Sequence, residues 1–295
     1  MAQSIGLIER AAALLLQQDL LEPDALPHPA AEADGGPATP ELILDRGRLA
    51  RYGVNLPSSG RSRTVEEFRL VKRNLMTQLS QGGSLADQRS SRLIMVTSAR
   101  PGEGKTFISL NLALAFASER DVKALLVDVD TQHSTMQNIL GIPGEQGIVD
   151  VLAGTCELSD VLIQTNIANL MVLPSGRGGP HVPELFSSNL MAALMAEMTR
   201  RFADRYVIID TPPCMASSDA AALAPLVGQI VFIVEAHHTQ QMEIETSLGM
   251  LSACPRISLL LNKSDTLSGE HFGSYEYYYH SQGRETDAPH STKPA

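Results

Sequence analysis

The residues best equipped for chemistry sit together at Gly102, Glu103, Gly104, Lys105 and Thr106, where a glycine-bearing loop runs into an apolar, helix-like segment at 107–117. The apolar run 93–96 precedes the loop, so the order is strand, loop, helix, the setting in which G-x-x-x-x-G-K-[ST] binds phosphate. In such a loop the backbone N–H groups and the helix N-terminus face the anion. The lysine reaches the terminal phosphates and the hydroxyl holds magnesium. The expected ligands of a nucleoside triphosphate are therefore the backbone from Gly102 to Phe107 and the side chains of Lys105 and Thr106. Ala99 replaces the first glycine of the pattern.

Two further chain segments end in carboxylates. Asp128 and Asp130 follow the apolar run 125–127, and Asp210 follows 207–209 and precedes Thr211, Pro212 and Pro213, which stiffen the exit. Any one of them alone reads as a turn residue. Beside a phosphate loop they become candidates for magnesium, which takes a hydroxyl and one or two carboxylates and keeps several waters.

The elements that must position these groups follow from apolar pattern. Strands are expected at 93–96, 123–129, 170–173, 206–209, 230–234 and 257–261, each a nearly continuous apolar run, which implies cover on both faces. Helical character falls at 107–117, 149–152, 183–202, 218–226 and 242–251. The alternation predicts an α/β fold with a doubly wound, mainly parallel sheet and its active groups at the carboxyl ends of the strands.

Ahead of this, Thr64 and Glu67 form a capping-box pattern opening a helix with the apolar face Val65, Phe68, Val71, Leu75 and Leu79. Glu66, Arg69, Lys72 and Arg73 are expected on its charged, solvated face. Residues 5–15 carry Ile5, Ile8, Ala11, Ala12 and Leu15 at helical spacing, and 22–40 turn to Pro, Ala, Gly, Asp and Glu, the composition of a flexible linker. The expected division is 1–60 as N-terminal helix plus linker, 61–263 as a P-loop domain, and 264–295 as a disordered tail.

A net charge of −10 over 295 residues argues against nucleic acid as a partner. Cys156, Cys214 and Cys254 lack metal-ligand spacing and read as reduced thiols. Glu9 and Arg10 interrupt the first apolar stretch, so no secretory signal is expected, and no run is long enough to span a bilayer; any membrane role is borrowed from a partner.

The tail holds Tyr275, Tyr277, Tyr278 and Tyr279, four of the six tyrosines in the chain. Beside a triphosphate site they read as phosphoryl acceptors. Together, 98–106 (SARPGEGKT), 125–130 (LLVDVD), 207–213 (VIIDTPP), GIVDVLAG at 147–154, PELFSS at 183–188 and the tyrosine-rich end resemble the bacterial tyrosine kinases of capsule and exopolysaccharide assembly. Their Walker A, A′ and B motifs belong to the P-loop ATPase class. The early LIER helix, the linker and RSRTVEEFRLVKRNL are similar to the exosortase-associated tyrosine autokinases.

The resemblance implies an ATP- and Mg2+-dependent protein-tyrosine autokinase that regulates exopolysaccharide polymerisation or export and phosphorylates its tyrosine cluster in trans. It implies catalytic roles for Lys105, Asp128, Asp130 and Asp210, metal binding by Thr106, Asp128 and Asp210, and adenine reading by Asn262. Which of Asp128 and Asp130 is the base is left open. Glu66, Arg69 and Lys72 resemble the family's E-x-x-R-x-x-R oligomerisation motif, with lysine for the second arginine, so self-association is expected, the relatives' form being a ring. Further implied partners are a transmembrane chain-length regulator that activates the kinase and a cognate phosphatase, with the chain cytoplasmic and held at the inner membrane through a partner. Gln132 stands where the family's A′ motif carries arginine.

Two other classes compete. A partition or septum-positioning ATPase switch would carry K-G-G-x-G-K-[ST], whereas Arg100 and Pro101 stand here. An ATP-binding scaffold without kinase activity would bind nucleotide and leave tyrosines unmodified.

Overall fold

The computed structural model describes residues 42–54, 56, 62–80, 92–142, 144 and 146–264. The expected N-terminal helix, the linker and the tyrosine cluster lie outside the described residues. A seven-stranded sheet in the order β3-β4-β2-β5-β1-β6-β7 forms the centre. Its strands are β1 (Leu93–Ser98), β2 (Lys123–Asp128), β3 (Ile163–Gln164), β4 (Leu170–Leu173), β5 (Arg205–Asp210), β6 (Gln229–Glu235) and β7 (Ile257–Asn262). All pairings are parallel except β3 with β4, a two-residue antiparallel edge that a strand so short cannot announce in sequence. The described helices are α1 (Arg46–Arg51), α2 (Arg63–Ser80), α3 (Lys105–Ala117), α4 (Thr135–Leu140), α5 (Ile148–Leu152), α6 (Leu158–Val161), α7 (Val182–Phe186), α8 (Asn189–Arg201), α9 (Asp219–Leu223) and α10 (Gln241–Met250).

Alternation within the apolar runs sends side chains to two cores. Leu93, Met95, Leu125, Val127, Val207, Ile209, Ile230 and Phe232 pack under α5 to α10, while Ile94, Val96, Ala124, Leu126, Ile208 and Val231 pack against α2 to α4. Helix α3 is apolar almost all round because α2 covers its outer side and β1, β2 and β5 its inner side. Leu44, Leu49, Val54 and Leu56 join the same core, so the packed body reaches further toward the N-terminus than a boundary at residue 61.

Four expectations are corrected. The helix at 63–80 is capped by Ser62, whose hydroxyl accepts from the Val65 N–H at 3.2 Å, and not by Thr64; Glu67 pairs instead with Arg63 at 2.8 Å. Lys72 is not on a solvated face: it is 5% exposed, between Phe68 and Leu75, with its ammonium on Glu119 and on the Ala115 carbonyl. Residues 183–202 form two helices, because Ser188 accepts the Met191 N–H and starts α8 afresh. Strand β7 is an edge, and Leu259 and Leu261 are each 57% exposed, so its continuous apolar run is not covered on both sides. The three cysteines are free thiols, with Cys214 and Cys254 buried.

Candidate active site

The strand order reverses between β1 and its neighbours: the chain passes from β1 out to β2 and β4, returns through β5, then crosses to β6 and β7. Open parallel sheets bind ligands at such a reversal, outside the carboxyl ends. The loop 99–104 sits there, and β1, β2 and β5 deliver Ser98, Asp128 and Asp210 to the same edge.

Gly102 and Gly104 adopt φ of +84° and +100°, a region that strains any L side chain. At Gly104 a Cβ would also lie 2.3 Å from the Asn262 Nδ2, so glycine is required there twice over. Gly104 is the N-cap of α3 and supplies no side-chain hydrogen bond, leaving the first N–H groups of that helix to a ligand. The Ser98 hydroxyl donates to the Arg100 carbonyl at 2.8 Å, and the Arg100 N–H donates to Glu103 Oε2 at 2.7 Å, which draws the loop tight without help from a first glycine.

The charges are crowded. Asp128 and Asp210 are direct cross-strand partners and each is 1% exposed; Asp130 is 8% and Lys105 7% exposed. Burial pushes the Asp210 carboxyl up to about 6, against the hydrogen bond from the Thr106 hydroxyl, the Lys105 charge and the Ser109 hydroxyl at 3.0 Å. Burial and then the Asp210 charge push Asp128 well above the usual carboxylate range. Burial lowers Lys105 from its ordinary value despite Asp210, Asp130 and Glu103.

The Asp130 N–H donates to Asp128 Oδ1 at 3.0 Å, while Asp128 Oδ2 is buried with no hydrogen-bond partner. An orphaned carboxylate oxygen beside a loop of helix-terminal N–H groups suits a cation bridging protein oxygens and phosphate. No group of three His, Cys, Asp or Glu side chains among the described residues could hold a metal alone. The Thr106 hydroxyl, Asp210, Asp128 and the nucleotide's own oxygens make the fitting donor set.

Other expected residues are placed as follows. Phe107 packs its ring edge-on to Phe68, centroids 5.9 Å apart, so only its backbone is available to phosphate. Asn262 comes up at the end of β7 and donates to the Glu103 carbonyl at 2.8 Å, a contact with the loop itself. Glu66 and Arg69 pair with each other on the exposed side of α2, away from the strand ends that carry the carboxylates.

Several neighbours escaped the sequence reading. Ser109, one turn after Lys105, is a buried serine in an apolar helix, and that mismatch is a usable signal. His133 places Nδ1 3.2 Å from Asp130 Oδ1, so the position after Gln132 supplies a partner where only a missing arginine was evident. Asp219, at the start of α9, is 4% exposed with Oδ1 unpartnered, and burial raises its pKa. Thr239 and Lys263 contact Glu103 and Gly102 from the exits of β6 and β7, which no local pattern announces.

Comparison with known proteins agrees with this geometry. The AAA domain family matches residues 91–243. The chain is 31% identical over 219 residues to the tyrosine-protein kinase CpsD of Streptococcus agalactiae, covering 73% of this chain and 90% of that protein. The crystal structure of the chimerical protein CapA2B2 superposes with a TM-score of 0.63 at 28% identity, over 77% of this chain and 95% of that one. At the level of fold alone, cobyrinic acid a,c-diamide synthase from Mycobacterium smegmatis, solved with a bound ATP analog and magnesium, matches with a TM-score of 0.50 at 19% identity, over 66% of this chain and 83% of that one. A P-loop sheet with its carboxylates on β2 and β5, together with a kinase relative matched along nine-tenths of its length, places the chain in the bacterial tyrosine kinase family.

Proposed function

We propose that the protein is an ATP-dependent tyrosine autokinase whose acceptors are Tyr275, Tyr277, Tyr278 and Tyr279. The observation that carries the reading is the convergence of Lys105, Thr106, Asp128, Asp130 and Asp210 on one edge of the sheet around a loop whose two glycines hold positive φ. Magnesium, when bound with ATP, neutralises phosphate charge and orients the terminal phosphate.

Lys105 and the N–H groups at the start of α3 bind the β- and γ-phosphates. The Thr106 hydroxyl, which donates to Asp210, would help hold the cation, and Ser109 holds Asp210 in place. Asp128, whose Oδ2 has no hydrogen-bond partner, would join it in holding the cation. Asp130, the most exposed of the three aspartates, is the carboxylate a phenol can reach, and it takes the proton from the tyrosine hydroxyl. Because a phenol is mostly neutral near pH 7, that acceptor matters.

The family reading extends to a role in exopolysaccharide polymerisation or export, to trans phosphorylation within a homo-oligomer, to activation by a transmembrane chain-length regulator and to reversal by a phosphatase. No described helix is long and apolar enough to cross a membrane, which is why a separate membrane partner is invoked for inner-membrane association. The test is intact-mass analysis after incubation with ATP and magnesium. Successive additions of one phosphate, mapped to the tail and lost in Lys105→Ala, are expected; unmodified tyrosines in the wild-type chain would refute the kinase and favour a scaffold.

A further inference from the structure

The phosphate loop is tied to the rest of the fold at two successive peptide units. Asn262 Nδ2 donates to the Glu103 carbonyl at 2.8 Å, and Lys263 Nζ donates to the Gly102 carbonyl at 2.8 Å while pairing with Glu235 at 3.1 Å. In a trans peptide the C=O of one residue and the N–H of the next point in opposite directions. Holding the carbonyls of Gly102 and Glu103 toward β7 therefore turns the N–H groups of Glu103 and Gly104 the other way.

A second tie works through the Glu103 side chain. This carboxylate is 1% exposed inside the loop, which is affordable only because both oxygens are bonded: Oε2 accepts the Arg100 N–H at 2.7 Å, and Oε1 accepts the Thr239 hydroxyl. The Thr239 oxygen in turn accepts the Glu235 N–H at 2.8 Å, so one hydroxyl links the exit of β6 to the loop. Arg100 reaches the start of α10 through Glu243 at 2.6 Å. The backbone is bent to make these contacts: Lys263 holds φ of +55° and His237, in the β6–α10 turn, +60°. Non-glycine residues keep such angles only where the surroundings enforce them.

We propose that Thr239 and Lys263 are positioning residues for nucleotide binding, acting through Glu103 and Gly102 to aim the loop's N–H groups at phosphate. The proposal rests on the nucleotide reading above and adds that β6 and β7, which supply none of the residues assigned to phosphate, cation or phenol there, shape the cradle. Neither residue touches the reacting atoms, so loosening the clamp weakens nucleotide binding and leaves the chemical step in the bound complex nearly intact.

The experiment is calorimetric titration of the full chain with ADP and magnesium, beside autophosphorylation at varied ATP. Thr239→Val keeps the shape and removes the hydroxyl; Lys263→Met keeps the stem and removes the charge; Thr239→Ser restores the hydroxyl. Each of the first two is expected to weaken ADP binding and raise KM for ATP by about tenfold, the scale of one hydrogen bond to a charged group, with kcat within about twofold. Thr239→Ser is expected to bind within about threefold of wild type. Wild-type affinity in both loss variants, a fall in kcat with KM unchanged, or a serine variant as weak as the valine one would overturn the clamp. Should the wild-type chain itself bind no nucleotide, the nucleotide reading falls first and the clamp with it, an outcome distinct from the others. Circular dichroism melts of each variant separate loss of the clamp from loss of the fold, and a Thr239→Val chain that binds weakly only because it is unfolded counts against the positioning role.

Discussion

Replacing Asp210 by asparagine should stabilise the empty protein while silencing it. The side chain is fully buried and its carboxyl is pushed from an ordinary 3.8 up to about 6. At 1.36 kcal/mol for each factor of ten in acidity, that difference corresponds to about 3 kcal/mol. The sign follows from proton counting. Between those two pKa values the folded state holds a proton the unfolded chain has released, so stability is full below pH 4, falls as pH rises through about 6, and then levels off. Asparagine keeps an acceptor for the Ser109 hydroxyl and carries no charge to desolvate. In nucleotide-free, EDTA-treated protein, the stability of Asp210→Asn minus that of wild type should widen by about 2–3 kcal/mol from pH 4 to pH 7.5. In a thermal melt that is roughly 4–12 °C. Urea denaturation at the two pH values measures it directly. A gap that does not change with pH, or a variant less stable than wild type at pH 7.5, would refute the electrostatic reasoning.

Three further outcomes are expected. Gly104→Ala should lose nucleotide binding and about 1–3 kcal/mol of stability, since its Cβ meets Asn262 at 2.3 Å and its φ is +100°; calorimetry and urea melts read both. Arg69→Ala, whose pair with Glu66 is half-exposed, should leave monomer stability within about 0.5 kcal/mol, so any shift in its sedimentation reports self-association; Lys72→Met should cost about 1 kcal/mol without that shift, because its partner Glu119 is on the same chain. Binding of magnesium and ADP at pH 6 should release protons from Asp210 and Asp128, detectable as a dependence of the apparent binding enthalpy on the ionisation enthalpy of the buffer; no dependence would place both carboxylates already ionised in the empty site.

The site was more legible than the scaffold around it. Lys105, Thr106, Asp128 and Asp210 could be placed because a buried parallel strand writes itself as a continuous apolar run, and a polar group just past its end has one place to go. The same signal misled at β7: a run such as 257–261 looks alike in the middle of a sheet and at its edge, and strand order, which decides exposure of Leu259 and Leu261, is not a local property. Lys72 shows the opposite error. Its spacing from Phe68 and Leu75 is that of one helix face, so periodicity already put it inward, and its charge type hid the fact that a long stem can be buried while the ammonium finds Glu119. Ser62 and Thr64 both offer a hydroxyl for the start of α2, and only the backbone decides between them. Thr239 and Lys263 were out of reach because each meets its loop partner across more than a hundred residues of chain.

The misfit of charge at the strand ends is itself informative about function. Lys105 is pulled down by burial, Asp128 and Asp210 are pushed up, and Asp128 keeps a buried oxygen without a hydrogen-bond partner, although the apolar residues of the surrounding strands are closely packed. A fold selected for stability alone would replace these groups with apolar ones of similar volume, which commonly stabilises. Each shift is opposed by the ligands proposed for the loop: phosphate favours the charged form of Lys105, and a divalent cation favours that of the carboxylates. The misfit of charge is therefore differential affinity for a cation and a polyphosphate together, since either alone relieves only one sign of the imbalance. On that argument a nucleotide without metal leaves Asp128 and Asp210 facing added negative charge, and tight binding requires both ligands at once.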